Sequence, residues 1–345
     1  MTLPRRAAAA LLAVALVAGC SNGKKGQPVA LPTSAGPSPT ATATPTPSPT
    51  TSGLLSPFTG LPVDTLRPVV AVKIDNAVLA RPQRGLDEAD IVYEEAVEGR
   101  LTRFLAIFSS RASNDLGPVR SVRESDLPLL RMFGKVAFGF SGGNRGVLAT
   151  VRANPVYDAS FDAHPGAYTR AGRRADAYNF ITSTARLLGV APQSALAHDI
   201  GLRFGALPPK GGVSGVTASV VWSRYAHTSW KWDPTHQVYL RYMDGRPAML
   251  RNGHQQSSPN VLIQYVSVRS SRYRDVSGIP SPFTTTTGSG GAVLLRDGKA
   301  FNGTWKRSGL GATHFLDRAT GKDMLLHTGP VWVMLVPSDT RAAIA

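Results

Sequence analysis

The chain contains one cysteine, Cys20, and its position constrains both where the chain folds and which cross-links can hold the fold. An apolar run from Ala7 to Val17 follows Arg5-Arg6 and ends at Ala18-Gly19, directly before Cys20. These are the parts of a secretory signal, and the run is shorter than the ~20 residues that span a bilayer. We predict cleavage before Cys20 and lipidation of Cys20; the alternative is an ordinary signal peptide with an incidental cysteine. Intramolecular disulfides and thiolate zinc sites are then excluded.

The sequence predicts four segments. Residues 1–19 form the signal peptide, and residues 20–53 form a lipidated cysteine followed by a Pro/Thr/Ser linker. The linker contains almost no large apolar side chain, so it is expected to stay disordered and to reach up to ~90 Å from the membrane. Its Thr/Ser-Pro pattern is also compatible with O-linked sugars. Two domains are predicted after it, over residues 54–208 and 209–340.

The chain is basic, with 38 Lys and Arg against 22 Asp and Glu in 345 residues and a formal net charge of +16. No run of five like charges is present, whereas nucleic-acid proteins usually concentrate their charge in a stripe. We therefore predict no nucleic-acid partner. Outside the membrane, a basic protein is attracted to anionic lipids, wall polymers and phosphorylated glycans. Solubility alone explains the charge equally well.

The pattern of residues 54–208 predicts an α/β (α+β) domain with a mixed sheet. A buried strand is expected at 68–74, and two apolar segments, 91–97 and 102–108, flank Gly99 as a hairpin. A helix over 126–132, a strand over 135–140, a Gly-rich turn and a helix over 145–152 follow. Strand, turn and helix in this order are typical of an α/β arrangement.

Residues 209–340 show period-2 segments separated by turn signals, which predicts a mostly antiparallel β domain. Asp244-Gly245 and Asp297-Gly298 are typical hairpin turns because both residue types tolerate positive φ. The five tryptophans are expected mainly in its core. The predicted strands are 216–222, 229–232, 237–242, 261–268, 292–295, 303–306, 313–316, 324–327 and 331–336.

Several separated motifs occur in the order found in one known family. They are Glu98 to Phe104, Gly117 to Arg123, Ser141 to Asn144, Ala167-Tyr168, Tyr178-Asn179-Phe180, Gly303 to Lys306 and Gly329 to Val333. With them the chain resembles the DUF3048 family of bacterial lipoproteins, the YerB-like proteins, over nearly the whole folded part. The resemblance implies a two-domain envelope lipoprotein without a settled activity. Tyr178 stands where the family usually has a His, so any role of that His is lost or moved.

Arg120, Ser121 and Arg123 form the first candidate ligand site. They follow the Gly117-Pro118 turn and precede a predicted helix start near residue 124, where free N–H groups and the helix dipole favour an anion. Two guanidinium groups and a hydroxyl suit phosphate or carboxylate. The alternative is that the arginines pair with acidic residues of the preceding hairpin, namely Glu94, Glu95 or Glu98.

The loop Ser141, Gly142, Gly143, Asn144 is a second candidate anion cradle, because glycines allow close approach of backbone N–H groups. A plain helix cap is the favoured interpretation of this loop. Glu94 and Glu95 interrupt an apolar strand, one toward each face, and Arg103 on the facing strand is the expected partner, although a role as acid or base, or as divalent-metal ligand with Asp75, stays open. The predicted ligand-binding set is completed by Asn76, Arg100, Arg103, Tyr168 and Asn179.

Two functional hypotheses follow. The first is a regulatory or non-catalytic lipoprotein on the extracytoplasmic face of the cell membrane that binds an anionic ligand or an envelope partner. The second is an enzyme acting on an anionic cell-wall or lipid-linked glycan, of the phosphoryl-transfer type. It draws on an apolar strand, an Arg-rich turn and a Gly-Gly loop that loosely resemble those of the LytR-CpsA-Psr phosphotransferases. No cofactor is predicted, and the scattered histidines predict no metal site.

Overall fold

The structure is a computed structural model that describes residues 53–172, 179–208, 211–275 and 277–345. The predicted signal peptide, Cys20, nearly all of the predicted linker and Tyr178 lie outside the described residues. Among the described residues, no helix is both long and apolar enough to cross a membrane.

The N-terminal part alternates strands with short helices, as its sequence pattern predicts. The α-helices among its described residues are α1 (Asp126–Leu130), α2 (Arg145–Ala153) and α3 (Thr184–Val190). Its strands are β1 (Val70–Asp75), β2 (Ile91–Ala96), β3 (Thr102–Phe108), β4 (Val136–Gly139), β5 (Val156–Asp158), β6 (Thr169–Arg170), β7 (Phe180–Ile181) and β8 (Arg203–Phe204).

The C-terminal part is built almost entirely of strands. Asp244 and Asp297 have φ values of 55° and 51°, as the predicted hairpin turns require. Its strands are β9 (Val213–Ser214), β10 (Thr217–Ser223), β11 (Ala226–Asp233), β12 (Val238–Met243), β13 (Arg246–Pro247), β14 (Ser257–Ser258), β15 (Asn260–Arg274), β16 (Pro280–Thr285), β17 (Gly288–Arg296), β18 (Lys299–Arg307), β19 (His314–Asp317), β20 (Leu325–Leu326), β21 (Val331–Pro337) and β22 (Ala343–Ile344).

One mixed sheet of twelve strands runs through both parts of the described chain. Its order is β19-β18-β17-β15-β21-β2-β3-β1-β4-β5, with β16 paired to β15 and β9 paired to β18. β21 lies parallel to both β2 and β15, and β4 lies parallel to β1 and β5. The predicted hairpin of β2 and β3 is antiparallel, with Gly99 at a φ of 68° in the turn. The predicted mixed sheet is thus confirmed.

Alternate residues of the central strands enter two hydrophobic cores. On one face, Leu105 and Ile107 pack in the same core as Leu127 of α1 and Val147 of α2. On the other face, Phe104 and its neighbours pack against α3 and against a second, antiparallel sheet of order β13-β12-β11-β10-β22. Both faces of the central strands are therefore covered, which explains why their sequences are nearly continuous apolar runs.

β15 is fifteen residues long and belongs to two structures in turn. Its first half, Asn260 to Val266, pairs with β17 and β21 in the central sheet. Its second half, Ser267 to Arg274, pairs with β16. We call this second hairpin, residues 267–275 and 277–285, the arm. The arm reaches α1, where the backbone N–H of Thr284 donates to Ser125 Oγ at 3.0 Å.

Candidate functional site

A cleft of about 640 Å³ opens where β1, the β2–β3 turn, the loop before α1, the start of α2 and the arm meet. Four arginines and three carboxylates are among its lining residues, so its charged groups carry a net positive charge. These charged residues are Arg103, Arg120, Arg123, Arg274, Asp75, Glu98 and Asp275.

The loop that carries Arg120 and Arg123 is fixed by backbone hydrogen bonds on both sides. The N–H of Arg120 donates to the carbonyl of Lys73 at 2.8 Å, and the N–H of Ser141 donates to the carbonyl of Arg120 at 2.9 Å. Ser121 Oγ donates to the carbonyl of Ser141 at 3.1 Å. The two candidate loops therefore lie side by side, and β1 holds the first of them through the carbonyl of Lys73.

Each of the three inner arginines faces a carboxylate inside the cleft. Arg120 Nε lies 2.6 Å from Asp75 Oδ2, and Arg103 Nε lies 3.8 Å from Asp75 Oδ1. Arg123 holds Glu98 through two hydrogen bonds of 2.7 Å, from Nε and from Nη2. Ser281 of the arm also contacts Glu98 Oε1. The pair of Arg123 with Glu98 is the alternative to ligand binding that the sequence left open for these arginines. Arg120 instead pairs with Asp75 of β1.

Arg103 is nearly buried in the wall of the cleft. Its side chain is 11% exposed, and its Nε and Nη1 atoms are buried without a hydrogen-bond partner among the described residues. Burial lowers the pKa of Arg103 to about 10, and the positive charges of Arg123 and Arg120 add to this effect against the attraction of Asp75. A buried guanidinium with free donors is costly unless an acceptor reaches it.

Glu98 has the opposite electrostatic environment. Burial alone raises its pKa, but the hydrogen bond and charge of Arg123, together with Ser281, outweigh burial and lower the pKa to about 2. Glu98 is therefore ionised at neutral pH and compensates Arg123. The cleft thus holds one tightly bonded pair, Glu98 with Arg123, beside one carboxylate, Asp75, that two arginines share.

The Ser141–Asn144 loop is the helix cap that the sequence favours. Asn144 Oδ1 accepts the N–H of Gly146 at 2.8 Å, at the start of α2. The carbonyl of Gly142 accepts the N–H of Val122, while Gly143 and Asn144 line the cleft. Ser141 Oγ donates to the carbonyl of Val119 at 2.9 Å and holds the neighbouring loop in place.

The expected anion cradle at the start of the helix after Arg123 is not formed. α1 is only five residues long, and Asp126 Oδ2 accepts the N–H of Arg123 at 2.7 Å. The carboxylate of Asp126 thus takes the place that an external anion would occupy. The expectation was wrong because α1 is short and Asp126 of its first turn already accepts the N–H of Arg123.

The expected pairing of Glu94 with Arg103 was also wrong. Glu94 is fully buried, and its Oε1 accepts hydrogen bonds from Arg241 at 2.8 Å and Thr102 at 2.9 Å. Asn76 joins this network by donating to Thr102 Oγ1 at 2.7 Å. Glu94 and Asn76 therefore lie outside the cleft, because Glu94 points toward the antiparallel sheet rather than toward Arg103.

Glu95, the neighbour of Glu94, points to the other face and belongs to a buried charged triad. Lys73 contacts Glu95 and also Asp126, the latter at 2.7 Å, and all three side chains are at most 3% exposed. Burial raises the pKa of Glu95 to about 7 against the attraction of Lys73. The triad lies behind the cleft and ties β1, β2 and α1 together.

Two more predicted site residues, Tyr168 and Asn179, do not line the cleft. Tyr168 donates its hydroxyl to the carbonyl of Ala159, and burial raises its pKa. Asn179 is buried, and its Oδ1 accepts a hydrogen bond from Arg170 at 2.9 Å. Arg100 closes the β2–β3 turn, but its side chain lies outside the described residues.

The arm contributes three cleft residues that the sequence does not reveal, namely Arg274, Asp275 and Ser281. They lie more than 150 residues from Arg120 and carry no local motif, so only the strand pairing brings them to the cleft. In the described part of the chain, no three His, Cys, Asp or Glu side chains group in a way that could hold a metal ion.

Two family models match the chain in succession. The model described as "Protein of unknown function (DUF3048) N-terminal domain" matches residues 58–197, and the model of the DUF3048 C-terminal domain matches residues 218–333. The chain belongs to the DUF3048 family. The cleft uses both matched regions, because its inner arginines lie in the first and the arm lies in the second.

Two comparisons concern relatives from Bacillus subtilis. The chain is 42% identical over 118 residues to "Putative lipoprotein YerB" of strain 168, a match that covers 33% of this chain and 36% of that protein. A crystal structure of the YerB protein from Bacillus subtilis is similar with a TM-score of 0.71 and 26% identity. That similarity covers 84% of this chain and 99% of the YerB chain, which supports the fold described above.

Proposed function

We propose that this DUF3048 protein is a lipoprotein, anchored through Cys20 on the outer side of the cell membrane, whose cleft binds an anionic group. The name of the related YerB protein supports the anchor, as does the sequence around Cys20. Two or more acyl chains are enough for stable attachment to a bilayer. The ligand is a phosphate- or carboxylate-bearing molecule of the envelope, and the binding residues are Arg103, Arg120, Ser121 and Arg123.

The observation that carries this proposal is the state of Arg103. Its Nε and Nη1 donors are buried and have no hydrogen-bond partner in the part of the chain that the structure describes, and its pKa is lowered to about 10 by burial and by two neighbouring guanidinium groups. Arg103 lines the cleft with 11% of its side chain exposed, so an anion there would compensate its charge and relieve the repulsion among the three arginines. Bidentate contacts from guanidinium groups to phosphate or carboxylate oxygens are among the stronger hydrogen bonds of proteins.

The test is titration of the purified protein with inorganic phosphate and glycerol phosphate, followed by calorimetry. We expect Arg103→Gln to weaken binding at least tenfold, since a hydrogen bond to a charged group contributes about 1.5–3 kcal/mol. Arg120→Ala/Arg123→Ala should weaken it further.

The matched control is Arg203→Gln, which removes a surface arginine paired with Asp199 at 2.8 Å. It should leave the affinity unchanged. Anion binding that survives the Arg120→Ala/Arg123→Ala change in a folded protein would exclude the cleft as the site.

A further inference from the structure

Two exposed arginines of the arm, Arg272 and Arg274, are held by neutral partners. Arg272 Nη2 donates to the hydroxyl of Tyr273 at 2.7 Å, and its guanidinium carbon lies 4.8 Å from the centroid of that ring. Arg274 Nη1 donates to the carbonyl of Gly278 at 2.8 Å. Neutral acceptors restrict the position of a guanidinium without compensating its charge, so both groups stay available to an anion.

The arm that carries these arginines is fixed against the rim of the cleft. Asn144 Nδ2 donates to the carbonyl of Arg274 at 3.0 Å, and Arg274 itself lines the cleft. Tyr273 packs so closely on α2 that a Cβ atom at Gly146 would lie 2.1 Å from the tyrosine ring. The positions of Arg272 and Arg274 relative to the inner arginines are therefore set by the fold.

The two arginines continue the positive charge of the cleft outward. They are two residues apart and both exposed, while the intervening Tyr273 is turned toward α2. The pairing with β16 is irregular between Ser270 and Arg274, and two residues of chain span at most about 7 Å, so Arg272 lies next to Arg274 just beyond the cleft lining. The nearest arm carboxylate at the cleft, Asp275, accepts the N–H groups of Ser277 and Ile279 through Oδ1.

The inner arginines of the cleft (Arg103, Arg120 and Arg123) and the outer arginines of the arm (Arg272 and Arg274) differ in the groups that balance their charge. Each inner arginine faces Asp75 or Glu98, whereas each outer arginine faces a neutral group. A single small anion that fills the cleft leaves the outer pair uncompensated. A ligand with several anionic groups in a row would satisfy both sets.

We propose that the cleft and the arm together bind a linear polyanion, a chain of repeated phosphate or carboxylate groups. One anionic group enters the cleft at Arg103, Arg120 and Arg123, and the next groups lie along the arm at Arg274 and Arg272. This inference rests on the proposed function, because it assigns the class of ligand that the same cleft takes.

The test measures affinity against ligand length for the full-length protein in an uncharged detergent. Inorganic phosphate is compared with linear polyphosphates of increasing length, and glutamate with oligoglutamates. We expect the affinity per molecule to rise at least tenfold from the monomer to the longer chains in at least one series. Arg272→Ser, which changes an arm arginine outside the cleft lining, should remove most of this gain and leave the affinity for the monomer within twofold. It should also reduce the salt dependence of polyanion binding, by about 0.7 in the slope of log K against log salt for each arginine that contacts a charged group.

The matched control is Arg269→Ser, an exposed arm arginine whose guanidinium lies 4.1 Å from the ring centroid of Phe283, outside the cleft lining. An equal loss in this control would show general surface attraction and overturn the inference. Length-independent affinity in both series would overturn it while leaving the proposed function intact. Binding to phosphatidylglycerol vesicles that needs Arg272 and Arg274, without a gain for either polymer, would assign the arm to a lipid surface instead. If neither inorganic phosphate nor glutamate bound to the protein, the proposed function itself would be wrong.

Discussion

At the scale of single residues, Glu98 controls the charge that the cleft presents. It neutralises Arg123 through two hydrogen bonds of 2.7 Å. We predict that Glu98→Gln raises the affinity for inorganic phosphate about tenfold, because the change frees a guanidinium. The same change should lower the free energy of unfolding at pH 7 by about 1–2 kcal/mol, because an ionic hydrogen bond is lost. Calorimetry and urea unfolding measure the two effects.

The pH dependence of this stabilisation follows from the lowered pKa of Glu98. The pKa is about 2 in the folded protein against about 4.3 for an ordinary Glu side chain, so the stabilisation is complete above pH ~4.3. It is lost as the pH falls toward 2, and the stability difference between Glu98→Gln and the native protein should shrink in that window.

Asp199→Asn, which breaks a surface pair with Arg203, is the control for the affinity measurement and should not change phosphate affinity. A lower phosphate affinity of Glu98→Gln would contradict the role given to Glu98.

At the scale of elements, the Lys73–Glu95–Asp126 triad connects β1, β2 and α1 beneath the cleft. Burial raises the pKa of Glu95 to about 7, so protonated Glu95 is favoured by folding. Its contribution to stability is therefore complete below pH ~4.3 and is lost as the pH rises through 7. We predict that Glu95→Gln removes this loss. The free energy of unfolding of the variant, relative to that of the native protein, should rise by up to about 3 kcal/mol between pH 4 and pH 8.

Urea unfolding at pH 4, 6 and 8 measures the Glu95 effect. Asp126 still holds Lys73 at 2.7 Å in the variant, so the remaining cation keeps a partner. Glu88→Gln, which changes an acid outside the triad, is the control. If the free energy of unfolding changed with pH in the same way for Glu95→Gln and for the native protein, Glu95 would not titrate in this range.

The elements also show which contacts a sequence encodes locally. Apolar runs and turn residues predict β1, the β2–β3 hairpin, α2 and the two Asp-Gly turns, because each depends on neighbours in the chain. The loop that follows Gly117-Pro118 and the loop that contains Gly142-Gly143 also lie next to each other. The partner of Glu94 is Arg241, 147 residues away, and the arm reaches the cleft from the far end of β15. Such contacts depend on how distant strands pair, which period-2 patterning does not specify.

At the scale of the whole molecule, β21 connects the two family regions. It pairs with β2 through Ile91 to Glu95 on one side and with β15 through Asn260 to Val266 on the other. Trp332 of β21 also donates to Glu94 Oε2 at 3.3 Å, next to the Glu94–Arg241 pair. The domain boundary proposed at residues 208 and 209 thus separates two sequence regions whose strands form one sheet.

The shared sheet predicts that both regions unfold together. Ending the chain after Gly329 removes β21 and leaves the facing edges of β2 and β15 without their partner strand, together with the side chains that β21 buries in both cores. We expect the truncated protein to lose its cooperative thermal transition, measured by circular dichroism and hydrogen exchange. Ending the chain after Thr340 is the matched control, since it removes only β22 at the edge of the antiparallel sheet and should preserve the transition. If the chain ending at Gly329 retained a sharp transition for residues 54–208, the N-terminal region would fold without β21 and the two regions would be thermodynamically separate domains.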